Sequence, residues 1–149
     1  SMSDVFGIQI KQFALNQDVT QSDWLIGADI VGPALEPALR SLKAPGTANP
    51  HDSQPSTMDG YVQGGDVHTN SGIPNHAFYV VATMLGGHAW DAAGQVWYAT
   101  LTDPSLAAGS TFEDFAKLTL VHAQRTYGPG SDEALATLAG WEAVKVVCS

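Results

Sequence analysis

The sequence predicts a mainly α-helical domain, built as a bundle of about five helices with one long irregular loop. Three observations carry this prediction. Apolar residues recur at spacings of three and four through the second half of the chain. Ser, Thr and Asp residues precede several of these segments, where they are typical helix caps. Residues 43–66 contain three prolines and four glycines and show no periodic pattern, which indicates the loop.

Length and composition exclude several classes of protein. The chain has 149 residues, which suits one domain spanning 1–149. Its 15 acidic residues against 6 basic ones give a net charge of -9, so we expect no nucleic-acid partner and no electrostatic membrane partner. No apolar run is long enough to cross a bilayer. The single cysteine, Cys148, excludes a disulfide scaffold and a cysteine-rich zinc module.

The first half of the chain predicts one helix and then shorter elements. Dense apolar residues predict a helix over Ser3–Asn16, with Ser3 as its cap. The run at residues 24–32 is apolar and interrupted by a glycine, which fits either a short strand pair or a buried loop. Glu36–Leu42 fits one or two helical turns, because a proline is tolerated in the first turn of a helix.

The second half predicts four helices joined by short links. The first begins at about Pro74 and ends at Gly86–Gly87, and the next covers Trp90–Leu101. Thr111 and Ser131 each precede acidic residues and then an apolar helical pattern, so we expect each of them to cap a helix. No internal repeat is present.

Two residues stand out for their chemistry. His68 ends a glycine-bearing stretch beside Asp66, where an imidazole can exchange protons near neutral pH or simply hydrogen-bond the turn. Arg40 is one of few basic residues and lies in the apolar segment PALRSL. Its guanidinium either pairs with a carboxylate or reaches into a cleft to bind a carbonyl or carboxylate group.

Several segments together resemble the C-terminal domain of the thermolysin family of zinc metallopeptidases. The most specific is VQGGDVHTNSGIPNHAFYVVA. Five other segments resemble segments of the family and occur in the same order along the chain: SDVFG, DWLIGADI, PALRSL, GGHAWDAAGQVWYATL and FEDFAKLTLVHAQRTYG. The resemblance covers residues 1–147 and is weakest over 43–62.

The resemblance implies that this chain is the C-terminal catalytic half of a zinc-dependent endopeptidase. In the family, two histidines and the general base come from a His-Glu-x-x-His motif in an N-terminal zinc-binding domain. The third ligand, a glutamate, would immediately precede Ser1. We therefore expect that domain to be this chain's partner, peptides or proteins to be the substrate, and the isolated chain to bind no zinc and be inactive. The family also implies an extracellular, bacterial protein.

The alternative is a non-catalytic helical binding module that retains the peptidase fold without metal. Retention of the family's site residues favours the enzyme. By resemblance, Asp4 hydrogen-bonds a zinc-ligand histidine, His68 stabilises the tetrahedral intermediate and Arg40 holds a substrate carbonyl. The apolar wall of the primed-side pocket corresponds to Ile26, Ile30 and Leu39, although Ile30 fits a core position equally well. We also expect this apolar surface, with Phe6, to be exposed and available for self-association.

The sequence departs from the family pattern in two places. Gln63 stands where the family carries an aspartate that orients the histidine. Either Asp66 or Asp59 replaces it, or His68 is held less firmly. The family's double calcium site uses several carboxylates, of which Asp23 remains, whereas Lys11 introduces an opposing charge. We therefore expect no double calcium site here, because calcium needs six to eight oxygen ligands.

Overall fold

A computed structural model describes residues 1–148 and shows a mainly helical chain. Among the described residues, five helices have ten or more residues, which confirms the predicted fold class. These are α1 (Met2–Leu15), α3 (Gly72–Leu85), α4 (Ala92–Leu101), α5 (Phe112–Tyr127) and α6 (Asp132–Ala143). A four-residue helix, α2 (Val67–Asn70), precedes α3 directly. No helix in this part of the chain is long and apolar enough to cross a membrane.

The predicted caps of the last two helices are confirmed. Thr111 accepts a hydrogen bond from the Asp114 backbone N–H, and the Asp114 carboxylate accepts one in return from the Thr111 N–H at 2.8 Å. The backbone and hydroxyl donors of Thr111 lower the pKa of Asp114. Ser131 caps α6 through the Ala134 N–H. The predicted Ser3 cap of α1 is wrong, because the helix already begins at Met2 and Ser3 lies exposed within it.

The core forms where α3 packs against α6, with α4 and α5 alongside. Trp97 and Trp141 stack with ring centroids 5.8 Å apart, and Phe78 meets Trp97 edge-on at 5.2 Å. The close approach of α6 to α3 depends on Gly140. A Cβ atom there would press on the Val81 side chain and lie 3.0 Å from the Ala77 carbonyl oxygen.

Gly140→Ala is therefore expected to lower the stability of the domain. Overpacking a filled core costs about 1–3 kcal/mol, and the helix propensity of alanine offsets about 1 kcal/mol of that. Thermal unfolding followed by circular dichroism measures the net change. Gly7→Ala is the matched control, because Gly7 also lies in a helix but has no neighbour within 4 Å of a built Cβ. An increase in Tm for both variants would contradict the packing argument.

The segment that carries Arg40 is a strand rather than the helical turns predicted for Glu36–Leu42. Strand β2 (Arg40–Ser41) pairs antiparallel with β1 (Leu25–Ile26), and Ile26 stands opposite Arg40. The Leu39 N–H donates to the Ile26 carbonyl at 2.9 Å, and the Leu42 N–H donates to the Trp24 carbonyl at 3.0 Å. Because these donors are bonded to a distant segment, they do not form the bonds of a local helix. Of the options for residues 24–32, a strand pair within that run is wrong: one strand, Leu25–Ile26, forms there, and its partner is residues 40–41.

The long loop is present as predicted. Between Leu42 and α2 the only regular element among the described residues is a single 3-10 turn, Met58–Gly60. Its backbone is nevertheless held by side chains, as described below, and it packs against the junction of α2 and α3.

Candidate functional site

The fold brings three sequence-predicted residues from three different elements into one cluster. Asp4 lies in the first turns of α1, Arg40 begins β2 and His68 lies in α2. Arg40 Nη1 donates to Asp4 Oδ1 at 3.1 Å, and Arg40 Nη2 lies 3.4 Å from His68 Nδ1. The guanidinium is therefore the centre of the cluster, with a carboxylate on one side and an imidazole on the other.

Asp4 is a buried carboxylate with both oxygens bonded. It is only 6 % exposed, and its second oxygen, Oδ2, accepts a hydrogen bond of 2.8 Å from Asn75 Nδ2. Asn75 lies in α3 and is completely buried. Burial of a charge is tolerated when it is paired and hydrogen-bonded, so Arg40 and Asn75 together allow Asp4 to sit beneath the surface. The sequence did not single out Asn75. The one available signal was its position directly after the GIP segment of the motif.

His68 is exposed and receives no carboxylate at its ring. Asp66 caps α2 by accepting from the His68 backbone N–H at 2.7 Å, and Asp59 forms an ion pair with Lys145. Gln63 is exposed. Neither candidate replacement for the missing aspartate therefore orients the imidazole in the part of the chain that the structure describes.

The contact with Arg40 favours one tautomer of the neutral His68 ring. A guanidinium has only N–H donors, so Nδ1 must be the acceptor in this contact. The proton of the neutral imidazole is then on Nε2, on the far side of the ring from Arg40. His68 thus presents an N–H donor to solvent. Of the two roles that the sequence left open for Arg40, the structure shows the pairing with a carboxylate. The N–H groups that contact neither Asp4 nor His68 are available for a second partner.

The three predicted pocket-wall residues differ in position. Ile26 is half-buried and packs on the core beside Arg40, and Leu39 directly precedes Arg40 and is 37 % exposed. Ile30 is 87 % exposed, which excludes the core position that the sequence left open. Phe6 is half-buried and meets Tyr98 edge-on at 6.3 Å.

A lysine ammonium lies beside Asp23, the carboxylate that the resemblance assigned to a calcium site. Lys11 Nζ donates to both oxygens of Asp23, at 2.9 and 2.8 Å, and lies 3.4 Å from the Leu25 carbonyl oxygen. The remaining carboxylate of that region is therefore neutralised within the chain.

The described residues contain no group of three or more His, Cys, Asp or Glu side chains that could hold a metal ion. The residues of this cluster therefore do not fit a zinc ion by themselves. A cleft of about 660 Å³ lies between α2 and the start of α5, and its lining includes Val67, Asn70, Phe112 and Glu113.

Comparison with known proteins decides the family. The family described as "Thermolysin metallopeptidase, alpha-helical domain" matches residues 1–146. The chain belongs to the thermolysin metallopeptidase family. An extracellular metalloprotease of Pectobacterium carotovorum is 47% identical over 137 residues, or 85% of this chain, and Protease PrtS of Photorhabdus is 40% identical over 98% of it. The solved precursor of protealysin, a metalloproteinase from Serratia proteamaculans, has a TM-score of 0.91 and 43% identity over 97% of this chain.

This thermolysin-family chain corresponds to only part of its relatives. It spans 40% and 42% of the Pectobacterium and Photorhabdus proteins and 48% of the solved protealysin precursor. The helical domain is thus shared with metalloproteases from several bacteria.

Proposed function

We propose that this chain is the C-terminal half of a zinc-dependent endopeptidase, in which the zinc ligands come from an N-terminal zinc-binding domain of the same polypeptide. The observation that carries this proposal is the convergence of Asp4, Arg40 and His68, three residues from distant parts of the chain, into one cluster. The relatives named as metalloproteases and the share of their length that this chain leaves uncovered support it.

In this proposal each residue of the cluster has a distinct role. His68 donates a hydrogen bond from Nε2 to the substrate carbonyl oxygen as that oxygen gains negative charge. Arg40 holds a carbonyl of the bound peptide through the N–H groups that Asp4 and His68 leave free. Asp4 orients a metal-ligating histidine of the zinc-binding domain, since a carboxylate that is already held by two donors is a rigid acceptor. Leu39 and Ile26, with exposed Ile30, form the apolar wall that receives a large apolar side chain.

We further propose that the intact protein is secreted by a bacterium, because the Pectobacterium relative is named an extracellular metalloprotease. Peptides or proteins are its substrates. The apolar surface around Leu39 and Ile26 is covered by the zinc-binding domain in the intact protein and otherwise favours self-association. Lys11 takes the place of calcium at Asp23, so the fold does not depend on that ion.

The test compares the chain 1–149 with the full-length polypeptide that contains it. Equilibrium dialysis at neutral pH is expected to show no stoichiometric zinc on the chain alone, and calcium is expected to leave its Tm unchanged. The full-length protein is expected to cleave peptides, to lose that activity with a chelator and to regain it with zinc. A full-length protein that folds and binds peptides without cleaving them would instead establish the binding-module alternative.

A further inference from the structure

The central loop contacts the backbone of His68 through a buried glutamine. Gln54 is 7 % exposed, and its Nε2 donates to the His68 carbonyl oxygen at 2.6 Å and to Ser71 Oγ at 2.9 Å. Ser71 Oγ donates in turn to the same carbonyl at 2.8 Å. The fit is close, since a Cβ atom at Gly72 would lie 2.6 Å from the Pro55 carbonyl oxygen. The loop therefore bonds directly to the residue whose ring faces the substrate.

The same loop contacts the segment that leads into Arg40. Asn49 is also buried, and its Nδ2 donates to the Ala38 carbonyl at 2.8 Å and to the Leu39 carbonyl at 3.2 Å. Leu39 is the neighbour of Arg40 in the chain. One amide side chain of the loop thus holds the Arg40 segment, and another holds His68.

An aspartate makes the part of the loop between these two amides a single unit. Asp52 Oδ2 accepts from the backbone N–H groups of Gly46 and Ala48 at 3.0 and 3.1 Å, and its Oδ1 accepts from that of Gln54 at 3.1 Å. Residues 46–54, which we call the brace, are therefore closed on themselves by one carboxylate. These bonds hold Asn49 and Gln54 at a fixed separation, although the brace contains no regular secondary structure.

Both side chains of the site need such support. Arg40 lies on a two-residue strand and His68 in a four-residue helix, and elements this short have few backbone bonds of their own. The His68 ring has one side-chain hydrogen-bond partner among the described residues, Arg40 Nη2. A small displacement of either backbone would break that contact, which is already 3.4 Å long.

We propose that the brace sets the spacing between Arg40 and His68, with Gln54 as a positioning residue for His68 and Asn49 as a positioning residue for Arg40. This inference rests on the proposed function, for which the spacing of the two residues decides how the substrate carbonyl is held. It explains why the long loop lies where it does: its amide side chains replace the missing carboxylate contact at the His68 ring by fixing the His68 backbone.

The test uses variants of similar size that lose the N–H donor. Gln54→Glu and Asn49→Asp keep the size of each side chain, and Gln54→Met removes the donor without adding charge. Gln17→Glu and Asn16→Asp are the matched controls, because they make the same chemical changes at residues whose side chains form no hydrogen bond in the described structure. Circular dichroism checks folding, and NMR records the His68 imidazole and Arg40 guanidinium resonances in the chain 1–149.

Both Gln54 variants are expected to keep the helical spectrum and to shift the His68 imidazole resonances, while those of His122, bonded to Asp103, stay in place. Asn49→Asp is expected to shift the Arg40 guanidinium resonances. In the full-length protein, each Gln54 variant is expected to lower kcat by about 10- to 100-fold with a much smaller change in KM, as supporting residues behind a site commonly do.

Two results would overturn the proposal. One is an unchanged His68 signal in folded Gln54→Glu and Gln54→Met. The other is loss of the fold in both variants, which would make Gln54 a general stability residue. If the full-length wild type lacks peptidase activity, the proposed function fails, whereas the imidazole and guanidinium resonances still decide whether the brace positions the two residues.

Discussion

In the proposed endopeptidase, His68→Ala is expected to lower kcat by about 100- to 1000-fold, or about 3–4 kcal/mol, with a far smaller change in KM. Negative charge on the carbonyl oxygen develops only as the carbon becomes tetrahedral. A donor directed at that charge therefore stabilises the transition state selectively. Steady-state kinetics on a peptide substrate measures both constants, and a kcat within about twofold of wild type would contradict the role of His68.

The size of this effect depends on the surroundings of the ring. Arg40 donates to Nδ1, so the neutral ring carries its proton on Nε2 and can act as a donor without becoming charged. Gln63→Asp restores the carboxylate that the family resemblance places before the histidine, and it is expected to raise kcat because a carboxylate partner orients the ring. His88→Ala is the control for loss of an imidazole, since His88 stacks on Trp90 outside the cluster.

Arg40→Ala is expected to raise KM as well as lower kcat, with a combined loss of about 10- to 100-fold in kcat/KM. Its guanidinium would hold a substrate carbonyl both before and during the reaction, so its contacts stabilise the ground state and the transition state together. The same substitution leaves the Asp4 carboxylate buried with Asn75 as its remaining partner. Breaking a buried pair in this way is expected to cost about 3 kcal/mol of stability.

Arg40→Lys separates the two effects. A lysine keeps the positive charge near Asp4 but not the planar fork that reaches Asp4 and His68 at once. We therefore expect Arg40→Lys to recover most of the lost Tm while kcat/KM remains low. Full recovery of kcat/KM by lysine would mean that the charge alone matters, and an unchanged KM in Arg40→Ala would exclude substrate contact.

The parts of the fold that the sequence predicted correctly are those with local causes. The capping box at Thr111 and the cap at Ser131 involve residues three positions apart, so both partners lie within one short sequence pattern. The error at Glu36–Leu42 has the opposite origin. Leu39 and Leu42 donate to Ile26 and Trp24, residues more than ten positions away, and no local pattern records that pairing.

The site divides in the same way. The motif around His68 and the segments containing Asp4 and Arg40 were recognisable through their resemblance to the family's segments. No such signature marks Gln54, Asn49 and Asn75, because a neutral amide is as common in a solvated loop as in a buried site. Their importance follows from burial and from bonds across 14, 10 and 71 positions of the chain.

The sequence by itself determined that this chain is acidic and mainly helical and that it belongs to a peptidase family. Those properties depend on composition, periodicity and short motifs, which are local. Only the tertiary structure decided that Arg40 joins Asp4 to His68, that Asp66 and Asp59 do not orient the His68 ring, and that Lys11 neutralises Asp23. The contacts of Arg40, Asp59 and Lys11 join atoms that are distant in the sequence and that only the folded chain brings within hydrogen-bond distance.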